Sequence, residues 1–285
     1  MSVLPLVSVL MTSFNRENFI AQAIESVLAS TYVNFELIIV DDCSNDNTAA
    51  VARSFEEKDH RVKVYINERN LGQFGNRNKA ASLAKGEFLK YFDSDDILYP
   101  FTLQILVEGM RKFPEAGIGF SIKYKEAEKP YPYVINPGEA IFTHYLGGEL
   151  LMVGPSGTII KRSAFEEVCG FEEFGMPSDN HLTLKIACRY PVVAFQRDLF
   201  WWRIHEGQAF TTEVNLHQNI LNNYCFNADI LTNYSPLPIE VNQRIHWNLK
   251  KIFFMNLFKL AFKKAKPGTA YALLHEYRKA RQTVS

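Results

Sequence analysis

Four short apolar runs punctuate the first hundred residues: 6–11 (LVSVLM), 35–40 (FELIIV), 62–66 (VKVYI) and 87–92 (EFLKYF). Between them lie stretches with helical spacing, clearest in 17–29, where Phe19, Ile20, Ala23, Ile24, Val27 and Leu28 share a face, then in 49–57 and 76–84. A continuous apolar run suits a strand covered on both faces, and alternation with helices of this length implies parallel strands joined by right-handed crossovers. The chain is therefore predicted to be α/β, with a Rossmann-like, mostly parallel sheet flanked by helices. The polar loops 12–16, 41–48 and 93–96 all follow strands, so they gather on one edge of the sheet, where such folds hold ligands.

The sharpest chemical signal closes the fourth run. Asp93, Asp95 and Asp96 place three carboxylates within four residues, and such a cluster repels itself unless something positive sits among it. A divalent cation meets that need at a strand's carboxyl end; hard oxygen ligands suit Mn²⁺ or Mg²⁺, ions that usually carry a phosphorylated substrate. A solvated acidic turn, with Asp95 or Asp96 capping the next helix, accounts for the same residues on local grounds. There is no Gly-x-Gly-x-x-Gly after the first strand and no Walker lysine loop, which disfavours dinucleotide binding and P-loop chemistry.

Beyond residue 100 a helix is expected to about 113, and a strand over 117–124. A charged, proline-rich surface excursion follows over 125–137. The tight turn Gly154-Pro155-Ser156-Gly157 feeds a strand ending near 160. Helices are expected at 163–168 and 179–189, and strands at 192–195 and 200–204. From 216 onward the chain reads as helical, broken at Pro236-Leu237-Pro238 and Pro267-Gly268. At 285 residues this is one large α/β domain or a domain with an appendage.

The four cysteines, Cys43, Cys169, Cys188 and Cys225, are scattered without a Cys-x-x-Cys pair, so reduced thiols in a cytoplasmic protein are expected, without a zinc site or disulfide framework. The apolar N-terminus reads as a first strand rather than a signal peptide, and no run of about 20 apolar residues announces a membrane span. The formal net charge is zero but unevenly spread: residues 241–285 hold ten basic side chains and one acid, a balance of +9, leaving −9 on residues 1–240. Such a tail suits an anionic surface. Within it, 250–266 (KKIFFMNLFKLAFKKAK) reads as a basic amphipathic helix with Phe253, Phe254, Leu257, Leu260 and Ala261 on one face. That face either lies on a membrane, packs against the domain, or meets a second subunit. Nucleic acid is not expected as a partner, because the body is acidic and no binding motif occurs.

Taken in order, VSVLMTSFNRENFIAQAIESVLAS, FELIIVDDCSNDNT, INERNLGQFGNRNKA and GEFLKYFDSDDILYP resemble the family-2 glycosyltransferases of GT-A fold over roughly residues 5–210. The resemblance implies a catalytic domain at 1–213, with a nucleotide-binding half at 1–100 and an acceptor half at 101–213, and a helical C-terminal extension at 214–285. It implies an inverting, metal-dependent transfer of a hexosyl group from a nucleotide-diphospho-sugar, UDP-linked, to a carbohydrate or lipid-linked acceptor, in cell-surface polysaccharide or glycolipid synthesis. The implied place is the cytoplasm or the inner face of the membrane.

By the same resemblance Asp42 reads the uracil ring, with a helix N-cap as its alternative role. Thr12, Ser13 and Asn15 wrap the nucleoside, and Gln73, Asn76 and Arg77 approach base and ribose. Asp93-Ser94-Asp95 matches the Asp-x-Asp signature: Asp93 lies near ribose or donor sugar, with Ser94 in the nucleotide site. Asp95 ligates the metal and Asp96 assists either. Asp179, after Gly170-Phe171, matches the general base, although many relatives carry Glu-Asp where this chain has Ser178-Asp179; an N-cap is its alternative. Within Trp201-Trp202-Arg203-Ile204-His205, Arg203 is implied at the diphosphate and His205 at the metal. Core packing is expected for Trp201 and Trp202, and a helix-surface position for His181. Two other readings compete: a haloacid-dehalogenase-like phosphatase, because Asp93-x-Asp95 after a strand mimics its nucleophile motif, and a non-catalytic sugar-binding scaffold. The phosphatase motif normally follows the first strand, whereas here it follows the fourth.

Overall fold

All four apolar runs become strands. The structure, a computed structural model, describes residues 4–121, 129–148, 150–175, 177–205 and 213–283. The chain opens β1 (Val7–Ser13), α1 (Ile20–Leu28), β2 (Phe35–Asp41), α2 (Thr48–Glu56), β3 (Val62–Ile66), α3 (Gln73–Leu83) and β4 (Phe88–Tyr91). It continues β5 (Ile97–Leu98), α4 (Thr102–Lys112), β6 (Ile118–Ser121), β7 (Tyr133–Ile135), α5 (Pro137–Phe142), β8 (Thr158–Lys161), α6 (Arg162–Glu167), α7 (Ser178–Ala187), β9 (Val192–Phe195) and β10 (Phe200–Trp201). Three helices close it: α8 (Glu213–Asp229), α9 (Ile239–Phe258) and α10 (Pro267–Thr283).

The main sheet has eight strands in the order β3-β2-β1-β4-β8-β6-β9-β7. The four strands of the first hundred residues are mutually parallel, with Val9 opposite both Leu37 and Lys90. β8 runs antiparallel to β4 and β6, and β7 antiparallel to β9. Successive side chains of β1 feed opposite cores. Val7, Val9 and Met11 pack with Ile20, Ile24 and Val27 of α1, while Leu10 joins Ile38, Tyr91 and Leu182 on the other face. Each fully buried aliphatic side chain contributes about 1.5–3 kcal/mol, so a one-residue slip of β1, which would swap its faces, is strongly disfavoured.

The parallel strands end together. Asp42 N donates to Ser13 O at 2.8 Å, and Phe92 N to Leu10 O at 3.0 Å, so the loops after β1, β2 and β4 share one edge. A separate two-stranded ribbon, β5 with β10, pairs Ile97 with Trp201 and lays residues 202–205 beside Asp95 and Asp96.

Several expectations are corrected. The proline-rich excursion contains strand β7 at the sheet edge, a position that tolerates the preceding Pro130 and Pro132. β6 is described to Ser121; the remainder of the strand expected to 124 lies outside the described residues. The strand expected at 200–204 ends at Trp201, and Trp201 and Trp202 are half exposed rather than core. His181 is fully buried rather than on the helix surface, and its Nε2 lies 2.7 Å from Asp229 Oδ2 of α8. The apolar face expected on 250–266 is split. Phe253, Leu257 and Leu260 pack inward with Leu221, Tyr224, Leu273 and Tyr277, whereas Phe254 is exposed and Ala261 lies at the margin. Phe226 and Ile230, by contrast, complete the core beneath α7.

Candidate active site

The loop edge is built first by paired acids at the end of β2. Asp41 accepts from Ser13 Oγ at 3.0 Å and from Ser44 N at 2.9 Å, tying the β1 and β2 loops together. Asp42, buried beside it, accepts from Leu71 N at 2.8 Å, Gly72 N at 3.0 Å and Asn67 Nδ2 at 2.8 Å. Its carboxylate thus holds the 67–72 loop and does not cap α2, whose first N–H, that of Thr48, goes to Asp46 at 2.9 Å instead. Gly72, at φ 77°, makes the left-handed turn into α3 that brings its N–H to Asp42.

Asn76 is a strut between these parts: its amide donates to Val40 O at 2.9 Å and accepts from Asn67 at 2.9 Å. Thr12 is half-buried at the end of β1, Gln73 is exposed at the start of α3, and Asn15 is exposed, its Oδ1 accepting from Asn45 N at 2.9 Å. These residues therefore border the same strand ends, with Ser13 and Asn76 already committed to internal hydrogen bonds.

Arg77 joins the two halves of the edge. From α3 its buried guanidinium donates to Asp93 Oδ1 at 3.1 Å and to Asp179 Oδ1. The guanidinium carbon lies 5.5 Å from the Phe74 ring centre and 5.8 Å from that of Phe171. Burial works against its charge, but Asp179 and Asp93 outweigh it and hold the group above its ordinary pKa. Asp179 sits in the first turn of α7 without capping it. Burial raises its pKa, and Arg77 pulls it back. The neighbouring Ser178 is fully buried and closes the preceding turn, accepting from Phe174 N and donating to Gly175 O, both at 2.8 Å.

The approach to α7 is fixed from α3 as well. Gly170 has φ 69°, and a Cβ there would meet Asn78 Oδ1 at 2.6 Å. Asn78 then clamps Phe171 in both directions, accepting from its N at 3.0 Å and donating to its O at 2.9 Å. Adjacent residues of one helix thus hold the loop and the carboxylate that follows it.

Asp95 is the second hub. Its Oδ2 accepts from Arg16 Nε at 3.1 Å and lies 3.0 Å from His205 Nε2, whose ring packs on Phe19 at 4.3 Å. Arg203 donates through Nε to Asp95 O at 2.7 Å and through Nη2 to Gln22 Oε1 at 2.7 Å, flanked by Phe19 and Trp201. Its backbone N–H reaches Asp96 Oδ1 at 3.2 Å. Asp96 is nearly inaccessible; burial, with Asp93 nearby, pushes its pKa up to about 7, and its Oδ2 has no hydrogen-bond partner. Ser94 is buried between the two hubs.

Asp95 and His205 are donor types that a hard divalent cation accepts. Mg²⁺ and Mn²⁺ take one or two carboxylates and leave the remaining positions to water and phosphate, and imidazole is an acceptable nitrogen ligand for Mn²⁺. Asp95 Oδ2 and His205 Nε2, 3.0 Å apart, supply one oxygen and one nitrogen of that kind, whereas the Asp96 carboxylate does not gather with both of them within 4.8 Å. A different cluster, Glu172, His181 and Asp229, has ligand-type atoms within 4.8 Å of one another. There Lys185 pairs with Glu172, and His181 Nε2 lies 2.7 Å from Asp229 Oδ2, so protein side chains already serve both carboxylates.

Sequence reasoning missed Arg16, Asn78, Lys90 and Ser156. Lys90 is fully buried; burial pushes its pKa down to about 7. Its Nζ donates to Tyr91 O at 2.9 Å and Ser156 O at 2.6 Å, while Ser156 Oγ accepts from Asp93 N at 3.1 Å. A lysine inside an otherwise apolar strand was the available signal, because an ammonium is buried only where acceptors await it.

Comparison with known proteins matches a family model, "Glycosyl transferase family 2", to residues 8–169. Glycosyltransferase GlyG of Streptococcus pneumoniae serotype 4 is 26% identical over 228 residues, covering 74% of this chain and 75% of that protein. The Escherichia coli enzyme WfgD, a UDP-Glc:alpha-D-GlcNAc-diphosphoundecaprenol beta-1,3-glucosyltransferase, is 42% identical over 107 residues, but the match spans only 38% of this chain and 42% of WfgD. Among solved structures, Staphylococcus aureus TarS 1–349 in complex with UDP-GlcNAc superposes with a TM-score of 0.74 at 20% identity, over 96% of this chain and 81% of that one. Mannosyltransferase PcManGT from Pyrobaculum calidifontis, in complex with GDP-Man and Mn²⁺, gives 0.66 at 17% identity, over 99% and 83%. At these identities the two structures establish a shared fold.

Proposed function

The chain belongs to glycosyltransferase family 2 and has the GT-A fold, and from that premise we propose that it moves a hexosyl group from a UDP-sugar to an acceptor hydroxyl, with inversion. The observation that carries the reading is the Arg77 bridge, which sets the Asp93 carboxylate and the Asp179 carboxylate on one guanidinium at the ligand edge of the sheet. In this reading the nucleoside lies along Thr12, Ser13, Asn15, Asp42, Gln73 and Asn76, and Asp93 and Ser94 face the ribose and donor sugar. Asp179 takes the proton as the acceptor oxygen bonds to the anomeric carbon, whose bond to the diphosphate breaks; the proton ends on Asp179 and the electron pair on the leaving diphosphate. Its raised pKa suits a base, and such a group typically contributes 10²–10⁴-fold in rate.

A divalent cation held by Asp95 and His205 would neutralise charge on the leaving diphosphate. Arg203 and Arg16 orient the Asp95 loop from either side and add positive charge there. The acceptor is a carbohydrate or lipid-linked glycan in cell-surface polysaccharide or glycolipid synthesis, acting from the cytoplasm. WfgD, whose name specifies a diphosphoundecaprenol-linked acceptor, supports that class.

Calorimetric titration with UDP, GDP and dTDP, each with and without Mn²⁺, tests the reading. UDP is expected to bind, and to bind tighter with Mn²⁺. Preference for GDP or dTDP would overturn the donor assignment. Absence of binding by all three, with phosphate released from small phosphoesters, would overturn the transferase reading itself.

A further inference from the structure

We propose that the outward face of α9 and the wide turn that continues it, Lys259–Lys263, docks on an anionic lipid surface. The inference stands on the C-terminal helices alone and does not depend on the donor site.

Packing leaves most of this face uncovered among the described residues; of its rings, Phe254 alone touches the inward cluster, 5.6 Å from the ring of Tyr277. Phe253, Leu257 and Leu260 already fill the inward side against α8 and α10. On the other side Trp247 is 62% exposed, Phe258 60% and Phe262 74%, with Phe254 and Met255 also exposed. Positions 247, 251, 254, 258 and 262 recur at helical spacing, so they form one stripe about 22 Å long. Its members touch each other: the rings of Phe258 and Phe262 are 4.7 Å apart, and Lys251 Nζ lies 5.6 Å from the Trp247 ring centre. Single exposed apolar side chains are ordinary, but a contiguous aromatic row marks an interaction surface.

Charge selects the occupant. Lys251, Lys259, Lys263 and Lys264 are exposed along the stripe, and none pairs with a carboxylate among the described residues. They belong to the segment that carries +9. A second copy meeting this face across a two-fold axis would set lysines against lysines. An anionic bilayer satisfies both components at once: aromatic rings enter the headgroup–acyl boundary and ammonium groups meet lipid phosphates. No helix among the described residues is long and apolar enough to cross a membrane, and lysines interrupt the stripe, so α9 would lie in the interface plane.

Flotation of the full chain tests this, with phosphatidylcholine vesicles holding about a third phosphatidylglycerol against phosphatidylcholine alone. Binding is expected only to the anionic vesicles, and raised salt should release it. Phe258→Ser with Phe262→Ser should weaken partition about tenfold or more. Each of Lys251→Gln, Lys259→Gln, Lys263→Gln and Lys264→Gln should weaken it about fivefold. The variants should keep wild-type UDP titration and melting curves. Should the double phenylalanine variant melt early, the blue shift of Trp247 emission on anionic vesicles, absent in Trp247→Phe, reads the same contact. Equal flotation with neutral vesicles, no flotation, or flotation indifferent to these substitutions would overturn the proposal. So would light scattering that shows a dimer split by Phe258→Ser and Phe262→Ser, which would give the face to a second copy.

Discussion

At the scale of residues, Arg77 is the pivot of the site, because one buried guanidinium serves two carboxylates, Asp93 and Asp179, that are far apart in sequence. Asp179→Asn is expected to lower kcat about 10²–10⁴-fold while UDP still binds, as single-turnover rates and titration would show. The pH profile carries a further signature. Asp179 has its pKa raised by burial, so activity should fall as pH drops through that raised value and the base becomes protonated. Arg77 opposes the rise; Arg77→Met should therefore move the acid limb to higher pH, whereas Arg77→Lys, keeping the charge, should move it less. A limb that stays in place in Arg77→Met would argue against this pairing. The acidic cluster, Asp42 and Asp179 were all visible in the sequence, because carboxylates at strand ends and helix starts stand out locally. Arg16 and Asn78 were not, because their partners come from distant loops, and Lys90 gave only the signal of a lysine in an apolar strand without naming Ser156 as its acceptor. Asn78 in particular sits within a quoted stretch yet acts on Phe171, and only the fold brings the two together.

At the scale of elements, α3 does more than connect β3 to β4. Arg77 and Asn78, neighbours on it, govern the carboxylate on α7 and the loop that leads there. Gly170→Ala should cost about 1–3 kcal/mol, since its left-handed φ and the 2.6 Å approach to Asn78 both exclude a Cβ; thermal melting would register the loss. If the loop sets the base, kcat should drop further than the melting shift accounts for at the assay temperature. An unchanged melt would mean that the loop yields more easily than its hydrogen bonds suggest. The first seven elements were legible because apolar runs and helical periodicity agree there. β7 was not, since proline and charge disguise a short edge strand. Which face of α9 turns inward was equally hidden: phenylalanines occur all around it, and only the positions of α8 and α10 decide which are covered.

At the scale of the whole molecule, the C-terminal helices are bound into the α/β body. Phe226 and Ile230 fill the core beneath α7, and His181, two residues beyond Asp179, is sealed by Asp229. Truncation after residue 212 should therefore give an aggregating or early-melting product rather than a free catalytic domain, with light scattering and calorimetry as the readouts; each large core side chain withdrawn typically costs about 2–5 kcal/mol. A soluble fragment with wild-type melting would show that the contact is incidental. The uneven charge has a practical consequence for the purified protein. A chain with +9 at one end of its sequence and −9 on the rest, and an isoelectric point near 7.1, has almost no net repulsion to keep copies apart in neutral buffer. The basic segment of one copy attracts the acidic surface of another in low salt. Desalting would thus cloud the solution, and ordinary salt would clear it.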